Sequence, residues 1–338
     1  MSRLSYIGRR LLTSTSVFFG VIIITFVLTH LISANPVVAF LGRAAFLHPE
    51  LVEAYTKRFH FDDPLYVQFW YYVAGILQGD LGYSWSRGTY VSTVIVETLP
   101  NTLQLVLLAL VITLLLGIPL GVISCKYRDR APDYGIRAFY FIGISSPTFS
   151  IALFLVLIFS YVLRLLPTGG LISQDIPRPD TVTGFIILDS LIQGNWRAFT
   201  DTLKHALMPS VALAMSNFGY VVRLLRSSLI EVMQTNYIRT ARAKGLSEGS
   251  VFMKHALRNA VIPIVTLTAL IASWLMSLSI FVENIFSYPG MGQYLVLGIK
   301  TLDYAAIMGV TLVFTTIVVV MNIAADVFYT IVNPQIQL

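Results

Sequence analysis

The sequence predicts an all-α membrane protein with six transmembrane helices. Of its 338 residues, 56% are apolar and only 12% are charged, and the mean hydropathy is +0.75. A soluble domain carries about a quarter charged residues, so this composition excludes an ordinary soluble fold. The apolar residues are also grouped into stretches long enough to cross a bilayer, and the basic residues are divided unequally between the segments that connect them.

Six stretches meet the roughly 20 mostly apolar residues that a membrane-spanning helix needs. The fourth contains Asn217 and Gly219 and is the least apolar. A five-span alternative would omit it and reverse the second half of the chain, so the charges must decide. The predicted spans are about Leu11–Ile32, Thr102–Ser124, Phe139–Leu163, Leu207–Leu225, Val261–Ile280 and Ile307–Val332.

The charges favour six spans with both termini in the cytoplasm. In that arrangement fourteen of the 23 basic residues lie in cytosolic segments, beside only four acidic ones. Basic residues collect on the cytosolic side of membrane proteins. The basic balance of the chain is therefore explained by topology, and no nucleic-acid partner is inferred. The predicted location is the plasma or inner membrane, with the lipid bilayer as surroundings.

The predicted spans divide the chain into three regions. Residues 1–34 form an N-terminal tail and the first helix, and residues 35–101 form an extracellular segment. Residues 102–338 form the main transmembrane domain, with helices 2–6 and a cytosolic loop at about residues 226–262. The first apolar run is longer than the roughly 7–15 residues of a signal-peptide core, so we expect an uncleaved anchor.

The extracellular segment is predicted to carry an amphipathic helix over Leu65–Leu77, because its apolar residues recur at helical spacing. Two interpretations stay open: a cap on the outer membrane surface, or a docking surface for a partner that delivers substrate. The second outer segment, residues 166–205, is predicted to be a loop with one short helix near Gly184–Gln193. The apolar stripe of the first helix comprises Tyr66, Phe69, Trp70, Val73 and Leu77.

The cytosolic loop between the fourth and fifth spans has the most distinctive pattern. Gly245 can adopt the left-handed conformation that ends a helix, and Ser247 can cap a second helix that continues through Leu257. Thr240 and Ala243 are small, so a partner surface could approach the backbone closely. The apolar positions that follow helical spacing before this turn are Leu229, Val232, Met233, Tyr237 and Ala241.

Small and helix-breaking residues inside the spans are candidates for a hinge or for the lining of a pathway. They weaken the helical hydrogen bonding, which a membrane tolerates where neighbouring helices or water satisfy the freed groups. Simple packing of helices through small residues is an equally good interpretation. The candidates are Gly117, Pro119, Gly121, Ser146, Pro147 and Asn217.

Asp326 is the plainest ionisable residue within a span. A carboxylate near the middle of a membrane costs on the order of 3 kcal/mol, and pumps use such acids as proton relays. No chain of ionisable partners leads outward from Asp326, so a buried structural pair or hydrogen bond is the favoured interpretation. Glu283 and Asn284 end the fifth span, where we expect exposure at the membrane interface, with a gate as the alternative.

The segment from Tyr237 to Pro263 resembles the coupling loop, often called the EAA loop, of permease subunits of ABC importers. It reads Tyr-Ile-Arg-Thr-Ala-Arg-Ala-Lys-Gly-Leu, then His-Ala-Leu-Arg-Asn and a proline, which is the pattern of the oligopeptide/dipeptide/nickel branch. Arg239 and Arg258 replace the Glu and Pro of the broader importer pattern, and both are usual in this branch. Further motifs over nearly the whole chain resemble the first-permease type; they begin at Asp63, Gly79, Leu116, Ser287 and Asn333.

The resemblance implies a type I ABC importer permease fold and three kinds of protein partner. These are a second homologous permease (a different chain or a second copy), two ABC ATPase subunits and an extracellular solute-binding protein. ATP and Mg would be bound by the ATPases, so we expect this chain to hold no cofactor or metal and to catalyse no reaction. The residues implied in coupling to the ATPases are Tyr237, Arg239, Thr240, Ala241, Arg242, Ala243, Lys244, Gly245, Leu246, His255, Leu257 and Arg258.

The resemblance favours uptake of oligopeptides or dipeptides by alternating access, with oligosaccharides or nickel as alternatives. The sequence has no Gly-x-x-x-x-Gly-Lys-Ser/Thr loop for nucleotide phosphates and no His-Glu-x-x-His motif for a catalytic metal. Apart from Asp326, the predicted spans carry no ladder of ionisable residues. This argues against a proton-driven secondary transporter, which is the alternative from a different class.

Overall fold

The computed structural model describes residues 15–27, 50, 52–53, 56–57, 60 and 62–332, with side chains up to residue 325. Within these residues the chain is mostly helical, as predicted. The helices are α1 Thr15–Val27, and α2 Leu65–Leu77, α3 Val91–Lys126, α4 Ala131–Ser145, α5 Thr148–Leu155, α6 Ile186–Ile192, α7 Trp196–Met215, α8 Phe218–Val232, α9 Asn236–Ala243, α10 Glu248–Ser250, α11 Leu257–Ala260, α12 Ile262–Ile285, α13 Met291–Thr301 and α14 Tyr304–Val332. Two π-helical stretches, Val156–Val162 and Val251–Ala256, extend α5 and join α10 to α11.

Helix α3 is the centre of the bundle and packs along α7, α8 and α12, while α12 packs against α14. The 36 residues of α3 rise about 54 Å at ~1.5 Å per residue, which is well beyond the ~30 Å hydrocarbon core of a bilayer. The helix begins before the predicted Thr102 because Val91, Val94 and Ile95 are buried in the core. That burial keeps the first turns helical even though Pro100 lies inside them.

Among the residues that the structure describes, three helices are long and apolar enough to cross a membrane: α3, α12 and residues 304–325 of α14. The pair α4 and α5, with the π-helical stretch that follows, would make a fourth if it counts as one span. The expected first span is described only over α1. The expected fourth span is divided between α7 and α8, which meet at Asn217.

The expected third span is not one helix. Its first helix begins at Ala131, earlier than predicted, and the two halves are bent by 104° between Ser145 and Thr148. Ser146 and Pro147 have extended backbone at the bend, with ψ of 130° and 136°. The bend has a clear cause, because a residue that precedes proline is disfavoured in the helical conformation.

Helix α2 has the predicted bounds, and the residues of its predicted apolar stripe are divided between an exposed side and a packed side. Tyr66, Trp70 and Leu77 of the predicted apolar stripe are 75%, 70% and 78% exposed. The packed side carries Gln68, Phe69 of the predicted stripe, whose ring lies 5.2 Å from that of Phe26 in α1, and Tyr72, whose ring lies 5.7 Å from the same ring. Almost the whole helix is apolar, so helical spacing alone could not decide which face packs against the protein.

The bundle has two ends that differ in composition. The basic end carries residues 126–133 and 223–258. The hairpin end carries the antiparallel strands β1 Tyr83–Ser84 and β2 Thr89–Tyr90. The hairpin is fixed by the buried Asp303, whose Oδ2 accepts hydrogen bonds from the hydroxyls of Ser84 and Ser86 at 2.6 and 2.7 Å.

Candidate functional site

Helix α9 at the basic end is anchored by one face and exposed on the other. Ile238 is fully buried and Ala241 is 8% exposed, and both belong to the main hydrophobic core. Tyr237 follows the helical spacing of the apolar residues in α8, and it is 44% exposed. The reason is that α8 ends at Val232 and a turn precedes α9, so the helical phase does not continue from one helix into the next.

Gly245 ends α9 in the predicted manner. Its φ is +77°, and two hydrogen bonds close a Schellman motif: Leu246 N donates to Ala241 O at 3.4 Å, and Gly245 N donates to Arg242 O at 2.9 Å. A Cβ at this position would meet no atom within 4 Å. Glycine is therefore favoured here by backbone conformation and not by lack of space.

The second half of the segment differs from the prediction in one respect. Ser247 stands at the cap position of α10, but its side chain makes no capping hydrogen bond. Its carbonyl accepts from Val251 N at 3.0 Å instead. The short helices α10 and α11 are held to the body by the buried Val251, Ala256 and Ala260.

The structure brings the residues of the resemblance together on one surface, which we name the loop face. Tyr237 and the second half of the segment are joined, since Asn259 Nδ2 donates to the Tyr237 hydroxyl at 3.2 Å and to His255 O at 2.9 Å. His255 and Leu257 are half-buried, and Ala241 is buried beneath the surface. The exposed members of the loop face are Tyr237, Arg239, Thr240, Arg242, Ala243, Lys244, Gly245, Leu246 and Arg258.

Arg242 of the loop face is held by Glu248, which the sequence did not single out. The contact has two hydrogen bonds, Nε to Oε1 at 2.7 Å and Nη2 to Oε2 at 3.2 Å. This contact lowers the pKa of Glu248 and raises that of Arg242. The two residues stand on either side of the Gly245 turn, so the pair fixes the direction of the Arg242 side chain across that turn.

A buried ion pair lies behind the loop face. Asp133 in the first turn of α4 is completely buried and accepts hydrogen bonds from Arg226 of α8, from Nε at 3.0 Å and from Nη2 at 2.7 Å. Ser124 of α3 also donates to it. Breaking a buried pair costs about 3–5 kcal/mol, so this contact fixes three helices where the segment begins. No local sequence signal marks it, because 93 residues separate the charges.

Two of the predicted breaks meet in space. Thr148, just after the Ser146-Pro147 bend, shares a hydrogen bond of 2.8 Å with Ser216 at the α7–α8 junction. Asn217 at that junction is 2% exposed, and its side-chain amide donates to Leu213 O at 3.0 Å. The geometry joins two helix discontinuities, and their role as a hinge or pathway stays a prediction.

Gly117 and Gly121 lie where two helices approach closely. A Cβ on Gly117 would lie 2.6 Å from Val221 Cβ, and one on Gly121 would lie 3.0 Å from Leu225 Cβ. Helix α3 runs without interruption through both glycines and through the exposed Pro119. The expected break in the helix is absent, and the packing interpretation of these glycines is the one that the contacts favour.

Glu283 is buried, which corrects the expected exposure at the end of the fifth span. It is 0% exposed, and it accepts hydrogen bonds from the Thr102 hydroxyl at 2.8 Å and from Gln293 N at 3.1 Å. Asn284 is half-buried and donates to Ile280 O at 2.8 Å. These contacts tie α3, α12 and α13 together at the hairpin end.

Asp326 lies in α14, and its side chain is outside the described residues, so its predicted structural role stays a prediction. Among the residues that the structure describes, no group of three or more His, Cys, Asp or Glu side chains is placed to hold a metal ion.

These features define an integral membrane protein with a basic, exposed surface at one end of a helical bundle. Residues 117–338 match the family described as binding-protein-dependent transport system inner membrane component, and residues 3–106 match the N-terminal region of such membrane components. The chain belongs to this family of transport permeases.

Curated relatives match over nearly the full length of the chain. A protein of Escherichia coli K12 described as probable D,D-dipeptide transport system permease DdpB is 38% identical, over 94% of this chain and 93% of the relative. The di/tripeptide transport system permease DppB of Pseudomonas aeruginosa is 34% identical over 99% of both chains. The oligopeptide transport system permease AppB of Bacillus subtilis is 35% identical over 98% of this chain and 99% of the relative.

Proposed function

We propose that this chain is a permease subunit of an ATP-driven ABC importer that takes up dipeptides or short oligopeptides. Three relatives with different peptide names cover almost the whole chain, which favours peptides over the oligosaccharide or nickel alternatives. The chain supplies part of the translocation path, and separate ATPase subunits supply the energy.

The observation that carries the proposal is the loop face. Its anchoring side, with Ile238 and Val251, is embedded in the core, so a displacement of the surface is transmitted to the bundle. Its outer side presents small and basic side chains on a short helix ended by Gly245. An ATPase that moves on binding and hydrolysing ATP can therefore push α9 and, through the Asp133–Arg226 pair, the helices α3, α4 and α8.

The assembly proposed around the chain contains a second homologous permease, two ATPases that bind ATP and Mg, and an extracellular solute-binding protein.

The proposed topology has six spans and cytoplasmic termini, with the basic end inside and the hairpin end outside. Labelling of single cysteines with a membrane-impermeant reagent tests it. In a background without Cys125, the exposed positions Arg87→Cys and Asp175→Cys should react in intact cells, and Thr240→Cys should react only after the cells are opened. Labelling of Thr240→Cys from outside would contradict the orientation.

Cross-linking tests the coupling role directly. In the same background, Thr240→Cys and Ala243→Cys, both exposed, should form cross-links of about 10 Å reach to the ATPase subunits in the assembled complex. The control is Trp196→Cys. Trp196 is 65% exposed and lies beside Asn195, whose side chain caps the start of α7, far along the chain from α9. Equal cross-linking yields at all three positions, or none at α9, would refute the proposed contact.

A further inference from the structure

A small cavity of about 260 Å³ opens at the hairpin end, between the first turns of α3 and the loop around α6. Val96, Pro100 and Leu171 give it apolar walls, while Glu97 and Arg178 bring one negative and one positive charge to it. No part of the coupling role uses this cavity. Its lining therefore combines two opposite charges with apolar walls.

Both charged side chains are exposed, and neither is paired with another of the described side chains. Within the described residues, Glu97 and Arg178 make no ion pair or hydrogen bond, and they do not reach the 4.0 Å of an ion pair with each other. Neighbouring acids behave differently. Asp175 pairs with Arg197 at 2.7 Å, and Asp201 accepts from Ser173 N at 2.7 Å.

The wall of the cavity is preformed. Asn101 donates its side-chain amide to Pro289 O at 2.8 Å, and Gly184 fits closely enough that a Cβ would lie 3.0 Å from the ring of Pro100. Asp189 also lines the cavity, but Thr183 donates to it from N at 2.7 Å and from the hydroxyl at 2.6 Å. Burial opposes ionisation of Asp189, yet these bonds hold its pKa below the usual range. The charge of Asp189 is therefore already satisfied, and Glu97 is the acid at this cavity without a partner among the described residues.

We propose that this cavity binds the zwitterionic form of a free dipeptide, with the ammonium group toward Glu97 and the carboxylate toward Arg178. The inference rests on the proposed peptide import and names a subsite in the permease itself. A peptide spans at most ~3.3–3.6 Å per residue, so two residues extend about 7 Å. Pockets for drug-sized ligands usually measure about 300–1,000 Å³, so a cavity slightly below that range selects a short peptide over a long one.

The test uses the complete importer complex in lipid nanodiscs, without the solute-binding protein, and measures binding of radiolabelled Ala-Phe. Glu97→Gln should weaken binding about tenfold, because a charge-assisted hydrogen bond to the ammonium is lost. Arg178→Gln should weaken it by a similar factor. Asp62→Asn and Lys204→Gln remove exposed charges that do not line the cavity and should leave the affinity unchanged.

Modified peptides assign each charge to one end of the ligand. N-acetyl-Ala-Phe should bind weakly to the wild type and be unaffected by Glu97→Gln, and Ala-Phe amide should be unaffected by Arg178→Gln. Equal losses for free and blocked peptides would overturn the assignment, as would wild-type complex that binds no Ala-Phe at millimolar concentration. Weakened docking of the solute-binding protein with unchanged Ala-Phe binding would show that the cavity receives that protein, which also overturns the proposal.

Uptake of Ala-Phe by the complete system, with the solute-binding protein and ATP, is measured on the same preparations. Uptake by the wild type without binding in the cavity would leave the importer function standing and refute the subsite alone. Absence of Ala-Phe uptake would instead count against the peptide substrate itself.

Discussion

Replacement of Gly245 by valine separates the shape of the loop face from insertion of the protein. The φ of +77° costs an L-residue roughly 1–2 kcal/mol, with a β-branched residue at the upper end. No atom lies within 4 Å of the added Cβ, so the whole cost falls on the backbone of the Schellman motif. That cost shifts the local equilibrium from the capped to the frayed end of α9 by about 5–30-fold. We expect peptide uptake to fall by up to this factor while insertion stays normal.

The assay measures uptake of labelled dipeptide and co-purification of the ATPases, both normalised to inserted permease. Gly249→Val is the matched control, because its Cβ also meets no atom within 4 Å and its φ is not in the left-handed region. It lies in the same segment and should retain uptake. Normal uptake by inserted Gly245→Val protein would refute the reasoning, and so would equal inactivity of both variants.

Three further predictions concern packing and polar contacts. Glu283→Ala should lower the melting temperature of the purified complex, because the buried Thr102 hydroxyl loses its acceptor at about 1–3 kcal/mol and the partly buried Gln293 N loses its acceptor too; an unchanged melting temperature would contradict the buried cluster. Gly117→Ala should destabilise the folded protein by about 1–3 kcal/mol through overpacking. The control Gly135→Ala, whose Cβ meets no atom within 4 Å, should be neutral or stabilising, and equal melting temperatures of the two variants would count against close packing of α3 on α8. Arg242→Gln and Glu248→Gln should reduce uptake equally, and the double variant should reduce it no further; additive losses would show that the two side chains act separately.

The sequence predicted best where a local physical rule decides the structure. The end of α9 followed from Gly245, and the bend of the third span followed from Pro147, since both residues act on their own backbone. The bounds of α2 followed from helical spacing. Helical spacing did not predict which face of α2 packs against the protein, because apolar side chains such as Trp70 and Tyr72 lie on both sides of the helix. Only the contact with α1 distinguishes the two sides.

Contacts between distant parts of the chain could not be predicted from the sequence. Glu283 accepts a hydrogen bond from Thr102, which lies 181 residues away. Its position at the end of a span, taken alone, suggested that Glu283 is exposed. The Asp133–Arg226 pair likewise joins two residues that are distant in sequence. The early start of α3 at Val91 also depends on tertiary burial, which outweighs the proline that local rules would use as a boundary.

Reconstitution of transport tests the central claim most directly. The purified chain alone, in vesicles with a proton or sodium gradient, is compared with the complete set of partner permease, ATPases, solute-binding protein and ATP. Dipeptide uptake should appear only with the complete set, and Asp326→Asn should lower the yield of complex without changing the solute carried. Gradient-driven uptake by the lone chain that is lost in Asp326→Asn would contradict the claim and make the protein a secondary transporter.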